Sequence, residues 1–154
     1  MEEHSVVESF DLKLSESAKD FLKETAKWAY FLSILGFIGI GFIIFAALFA
    51  GTLFSSMSKM NPAMGAMGSS LGIVMAFVYF LIAVLYFFPV YYLNKFASNT
   101  KRAFKNNNSE TLTTSLEYLK SHYKYIGIMT LVVFALYFLI FIGMIIAGMS
   151  FNNA

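Results

Sequence analysis

The chain has 154 residues, of which 58% are hydrophobic and only 13% charged, with a formal net charge of +2. Soluble domains carry about 25% charged residues, so composition excludes an ordinary water-soluble fold, and so small a net charge gives no reason to expect a nucleic-acid partner. No cysteine is present, which removes disulfides, thiolate metal sites and cysteine nucleophiles.

Residues 1–11 are acidic and without pattern, the signature of a disordered tail. Seven acidic groups fall in the first 27 residues. The apolar run behind them far exceeds the roughly 7–15 residues of a signal-peptide core, so the first span is expected to persist as an uncleaved anchor. Over residues 14–27, Leu14, Ala18, Phe21 and Leu22 recur at helical period before Trp28, with Lys19, Lys23 and Lys27 between them. Ser17 and Asp20 are spaced as a capping box. Glu16–Lys19, Asp20–Lys23 and Glu24–Lys27 are spaced as i,i+3 pairs.

Beyond this segment lie three apolar runs, Trp28–Phe54, Leu71–Leu93 and Ile126–Met149, and none holds an Asp, Glu, Lys, Arg or His. A hydrocarbon core about 30 Å thick needs roughly 20 apolar residues as helix, and each run meets that length. The predicted fold is an all-α integral membrane protein in a single domain. Transmembrane helices are expected over 28–54, 71–93 and 125–149, with amphipathic helices before the first and third spans. Ten of the eleven Lys and Arg residues lie before the first span or between the second and third. By the positive-inside rule the N-terminus and residues 94–124 are predicted to be cytoplasmic. The 55–70 loop and the C-terminus are then outside. Trp28, Tyr30, Tyr86, Tyr91, Tyr92, Tyr123 and Tyr125 gather at the same inner boundary as an interfacial aromatic belt.

Residues 94–124 predict a helical hairpin. Lys95–Lys105 continues the second helix, Asn106–Ser109 makes the turn because Asn tolerates left-handed backbone, and Ser109 caps the next helix. Leu112, Leu116, Leu119 and Tyr123 form an apolar stripe opposite Glu117, Lys120 and Lys124. Phe96, Ala103 and Phe104 are available to pack on it, and the stripe is the candidate partner-docking surface. Candidate headgroup contacts are Lys23, Lys27, Trp28, Lys95, Lys101, Arg102, Lys105, Lys120 and Lys124. Phe21-Leu22-Lys23 with Lys27-Trp28 matches Tyr118-Leu119-Lys120 with Lys124-Tyr125, two helices meeting the same interfacial demand.

Chemistry-bearing motifs are sparse. Met57, Met60, Met64 and Met67 in the 55–70 segment are a weak soft-metal constellation, weighed against flexible apolar filler. His4 and His122 have no partner at a defined spacing, so neither points to acid–base work. No phosphate cradle, zinc-protease helix or nucleophile elbow is present, and no enzyme activity or cofactor is expected. Hydroxyls within the spans, such as Ser33, Thr52 and Thr130, can bond their own helices, while Gly36, Gly39, Gly41, Gly143 and Gly148 suit close helix packing. Pro89 is expected to kink the second span and to leave its freed carbonyl to interfacial water.

Three segments together carry a resemblance: Leu14-Ser15-Glu16 leading to Glu24-Thr25-Ala26-Lys27-Trp28, Phe88-Pro89-Val90-Tyr91-Tyr92-Leu93, and Leu119-Lys120-Ser121-His122-Tyr123-Lys124-Tyr125-Ile126-Gly127-Ile128. Over residues 14 to 148 the chain resembles a family of small bacterial three-span inner-membrane proteins of unknown function. The resemblance implies an inner-membrane location and brings no catalytic residue. The expected role is a non-enzymatic accessory or scaffold subunit docking partners through its cytoplasmic helices. The alternative is a homo-oligomeric pore or small-solute permease, with soft metals as one candidate cargo; a lipid-sensing or envelope-organising role is a third. Expected partners are the lipid bilayer and either a second copy or another membrane protein.

Overall fold

The computed structural model describes residues 14–60 and 65–152, and all three of its elements are α-helices: α1 Glu16–Met60, α2 Gly65–Asn106 and α3 Ser109–Asn152. The 1–11 tail lies outside the described residues. Each helix is long and apolar enough to cross a membrane. At 1.5 Å per residue they measure between about 63 and 68 Å, roughly twice the hydrocarbon thickness, so each continues well past its apolar run. Of the 14–27 segment, residues 16–27 are the first turns of α1; 109–124 are the first turns of α3, and 94–106 the last turns of α2. Of the expected 55–70 loop, residues up to Met60 and from Gly65 are helical, and 61–64 lie outside the described residues.

The helix ends show which side chains cap. Ser15, rather than Ser17, caps α1: its Oγ accepts from Ala18 N–H at 3.2 Å, while Lys19 N–H bonds Ser15 C=O at 3.0 Å. Asp20 is taken by Lys23 at 3.0 Å, alongside the Glu16–Lys19 pair at 2.7 Å. Between α2 and α3, Asn107 adopts a left-handed φ of 48°. Asn108 N–H then reaches back to Ala103 C=O at 3.0 Å, closing a Schellman-type end. The cap of α3 is Asn108, whose Oδ1 accepts from Thr111 N–H at 2.9 Å. Ser109, the residue expected to cap, is already helical and offers its carbonyl to Thr113.

The helices lie side by side with α2 in the middle, and no described Cα of α1 comes within 8 Å of α3. Helices α1 and α2 stay together along their length through small residues. A Cβ on Gly36 would meet Val90 side-chain carbons at 2.7 and 2.9 Å, and Ala47, Ala50 and Ala83 are buried further along. Near the opposite end, a Cβ on Gly72 would lie 3.2 Å from Gly51 Cα. Within lipid the hydrophobic effect gives helices no reason to associate, so such close backbone approach supplies the packing. Gly39, Gly41, Gly143 and Gly148 face open space and take no part in it.

Among the described residues, one cluster of buried apolar side chains forms, at the end of the molecule that carries the α2–α3 turn. Phe96 is 0% exposed and sits against Ala26, Ala29 and Ala97, with Leu22, Leu93, Tyr118 and Leu119 around it. Ala26 and Ala29, one turn apart on α1, leave the hole that Phe96 fills. Leu22 and Leu119, the matching positions of the two similar segments, both pack on this cluster.

Candidate functional site

Two hydroxyl relays stitch the helices at this end. Asn94 Nδ2 donates to Ser33 Oγ at 2.9 Å, and Ser33 Oγ donates to Tyr30 C=O at 2.7 Å. Thr100 Oγ1 donates to Ser115 Oγ at 3.1 Å, and Ser115 Oγ donates to Leu112 C=O at 2.7 Å. Ser33, Thr100 and Ser115 are all 0% exposed. A buried hydroxyl needs a partner, and each serine uses a carbonyl of its own helix as acceptor while receiving a bond from the neighbouring helix. The first relay ties α1 to α2 and the second ties α2 to α3.

A third joint lies at Pro89. Proline has no N–H, so the carbonyl four residues earlier, that of Leu85, loses its helical donor. Tyr125 Oη donates to that carbonyl at 3.0 Å, where the sequence predicts water. The partner is a phenol because α3 passes the proline at this level. Beside it His122 Nδ1 lies 2.8 Å from Pro89 C=O, a contact in which Nδ1 must carry the proton. His122 therefore acquires a partner, and its role is to hold α3 on α2. The two helices diverge beyond this joint and leave an apolar cleft of ≈ 590 Å³ lined by Pro89, His122, Tyr125 and Thr130.

Aromatic rings extend the contact sideways. Phe37 on α1 meets Phe87 at 6.0 Å, Phe87 stacks on Tyr91 at 6.0 Å, and Tyr92 meets Tyr118 on α3 at 6.4 Å. Tyr91, Tyr92 and Tyr125 are thus half-buried packing elements, while Trp28, Tyr30, Tyr86 and Tyr123 are exposed.

The stripe read from Leu112, Leu116, Leu119 and Tyr123 divides. Leu119 packs on the Phe96 cluster and Leu112 is half-buried, whereas Leu116 and Tyr123 are exposed. The inward face of α3 instead carries Ser115, Tyr118, Leu119, His122 and Tyr125. Phe104 turns to α1, its ring 5.2 Å from Lys23 Nζ.

Among the candidate headgroup contacts, Lys23 is engaged by Asp20 and Phe104, and Lys95 lies 5.4 Å over the Tyr91 ring. Trp28 is exposed and meets Phe31 edge to face at 6.1 Å. Arg102, Lys105, Lys120 and Lys124 are exposed, the last two flanking a shallow groove with Glu117. Glu24 and Lys27 make no ion pair; Lys27 instead lines a cleft between α1 and α2 together with Lys101. Met57 and Met60 stand exposed on the last turns of α1, Met64 lies outside the described residues, and Met67 falls within α2.

Fold and seam define an all-helical membrane protein whose three helices are joined at one end. Neither protein-family models, nor curated proteins, nor solved structures give a match to the chain.

Proposed function

We propose that this is a non-enzymatic accessory or scaffold subunit of a bacterial inner membrane. Its N-terminus and α2–α3 turn lie in the cytoplasm and its C-terminus outside, as the Lys and Arg distribution and the family resemblance imply. In this reading the joined head is the docking part. The observation that carries it is apolar surface beyond the lipid: Phe21 is 69% and Leu116 43% exposed. They precede Trp28 and Ile126 by seven and ten residues, which at helical rise places them about 10 and 15 Å outside the apolar runs. The headgroup layer spans only about 5–8 Å on each side. These side chains therefore face water unless a partner covers them. Leu116→Asp and Phe21→Asp should abolish crosslinking to a stoichiometric partner in the native membrane while leaving membrane level intact. Partner capture by both variants at the wild-type level would refute the reading.

Self-association, as a pore or permease, is supported by a different observation: residues 130–148 of α3 are exposed on every side. Because the chain lacks cysteine, single cysteines placed along that face give a clean disulfide test, and a periodic crosslinking pattern would favour it. Replacing Met57, Met60, Met64 and Met67 together tests the soft-metal part; unchanged copper tolerance would remove it.

A further inference from the structure

We propose that the cleft between the head ends of α1 and α2 is a binding site for one anionic phospholipid, its phosphate held between Lys27 and Lys101. The cleft has a volume of ≈ 670 Å³; Ala26 and Ala97 are among its lining residues, with Tyr30 at its apolar end. The two alanines form its floor where the helices meet. Two features give it a ligand preference.

The first is charge. Lys23, the third cation on the wall, is neutralised by Asp20 at 3.0 Å. Lys27 and Lys101 have no carboxylate partner among the described residues, although Glu24 stands one turn from Lys27. Two cations on facing helices, neither in an ion pair among the described residues, match a single phosphodiester.

The second is depth. From Lys23 to Tyr30 the cleft wall rises about 10 Å along α1, comparable with the headgroup layer of about 5–8 Å. Its cationic part lies just outside the first apolar run and its apolar part just inside. A soluble phosphate uses only the cationic part. A phospholipid fills both, phosphate between the lysines and chains past Tyr30, and basic clefts between helix ends are where such headgroups are bound. The site rests on neither the accessory reading nor the choice of leaflet.

Trp28, the only tryptophan, adjoins Lys27 and reports on the test. The full chain is reconstituted in phosphatidylcholine vesicles containing either phosphatidylcholine or phosphatidylglycerol brominated near the carbonyl end of the chains. Brominated phosphatidylglycerol should quench Trp28 at the lower mole fraction, with a selectivity of about fivefold for each lysine engaged. Lys27→Gln with Lys101→Gln should bring the selectivity close to unity, Lys27→Arg with Lys101→Arg should retain it, and Lys59→Gln, at the far end of α1, should leave it unchanged. These are exposed positions, and unchanged circular dichroism checks the fold. Equal quenching by the two lipids in the wild type overturns the proposal, as does selectivity that survives the Lys27/Lys101 double substitution. Loss of selectivity on adding glycerol phosphate overturns the lipid assignment in favour of a soluble phosphate site.

Discussion

Helices α1 and α2 stay in contact from the head to Gly51 and Gly72, whereas α3 meets α2 over its first turns and is exposed from Thr130 to Gly148. Their compositions explain the difference. Where α1 meets α2, glycine and alanine recur, so backbones approach closely and dispersion contacts accumulate. The run Leu131–Ile146 on α3 is dominated by Leu, Val, Ile and Phe, which lipid solvates as well as a neighbouring helix does. Only where α3 leaves the hydrocarbon do Ser115, His122 and Tyr125 find polar partners on α2. Association here follows small residues and hydrogen bonds, and apolarity alone produces none.

That contrast can be broken most strongly at its centre. Phe96→Ala should lower unfolding free energy, measured by steric trapping in bicelles, by about 3–5 kcal/mol, because a fully buried ring leaves a cavity. Leu136→Ala, on the exposed stretch of α3, should stay within about 0.5 kcal/mol of wild type. Equal losses at the two sites would mean that α3 is packed in the membrane after all. Next in size is Gly36→Leu, expected to cost about 1–3 kcal/mol through its clash with Val90. Gly143→Leu, facing open space, is the matched control, and a destabilised control would reveal a second copy against α3.

The smallest effect sharpens the Pro89 joint. Tyr125→Phe should cost about 0.6–1.5 kcal/mol by orphaning the Leu85 carbonyl. In a Pro89→Ala background the helix recovers its own donor, so the same substitution should cost close to nothing. A double-mutant cycle without coupling would show that the phenol is not serving the proline's missing bond.

The spans were readable from the chain because lipid imposes both length and composition on any segment that crosses it. The first-turn pairs Glu16–Lys19 and Asp20–Lys23, being local, were readable too. Contacts between helices were not, since they depend on register. Ser115 passes for a surface residue until Thr100 is placed opposite it, and Leu116 passes for a core residue until the helix is turned to let Ser115 face inward. Lys27 has a partner of the right sign and spacing in Glu24, and only the α1–α2 cleft shows another environment for it. One signal was available: a proline inside an apolar run leaves a carbonyl that something must satisfy, and the tyrosines at the start of the third span were within the same boundary layer.

Helices α1 and α3 run without a proline through the points where their apolar runs end, and α2 is helical there too, with Pro89 one turn inside that point. A span that tilts to match a thinner or thicker bilayer therefore carries its extramembrane end with it, as a lever does. With an arm of about 20 Å of helix beyond the run, a tilt of about 10°, small beside the range found among membrane helices, displaces the far end by about 3–4 Å. Three such levers are bolted together at Phe96 and the two hydroxyl relays, so they cannot tilt independently. The thickness of the surrounding bilayer thereby becomes a mechanical input to the whole head.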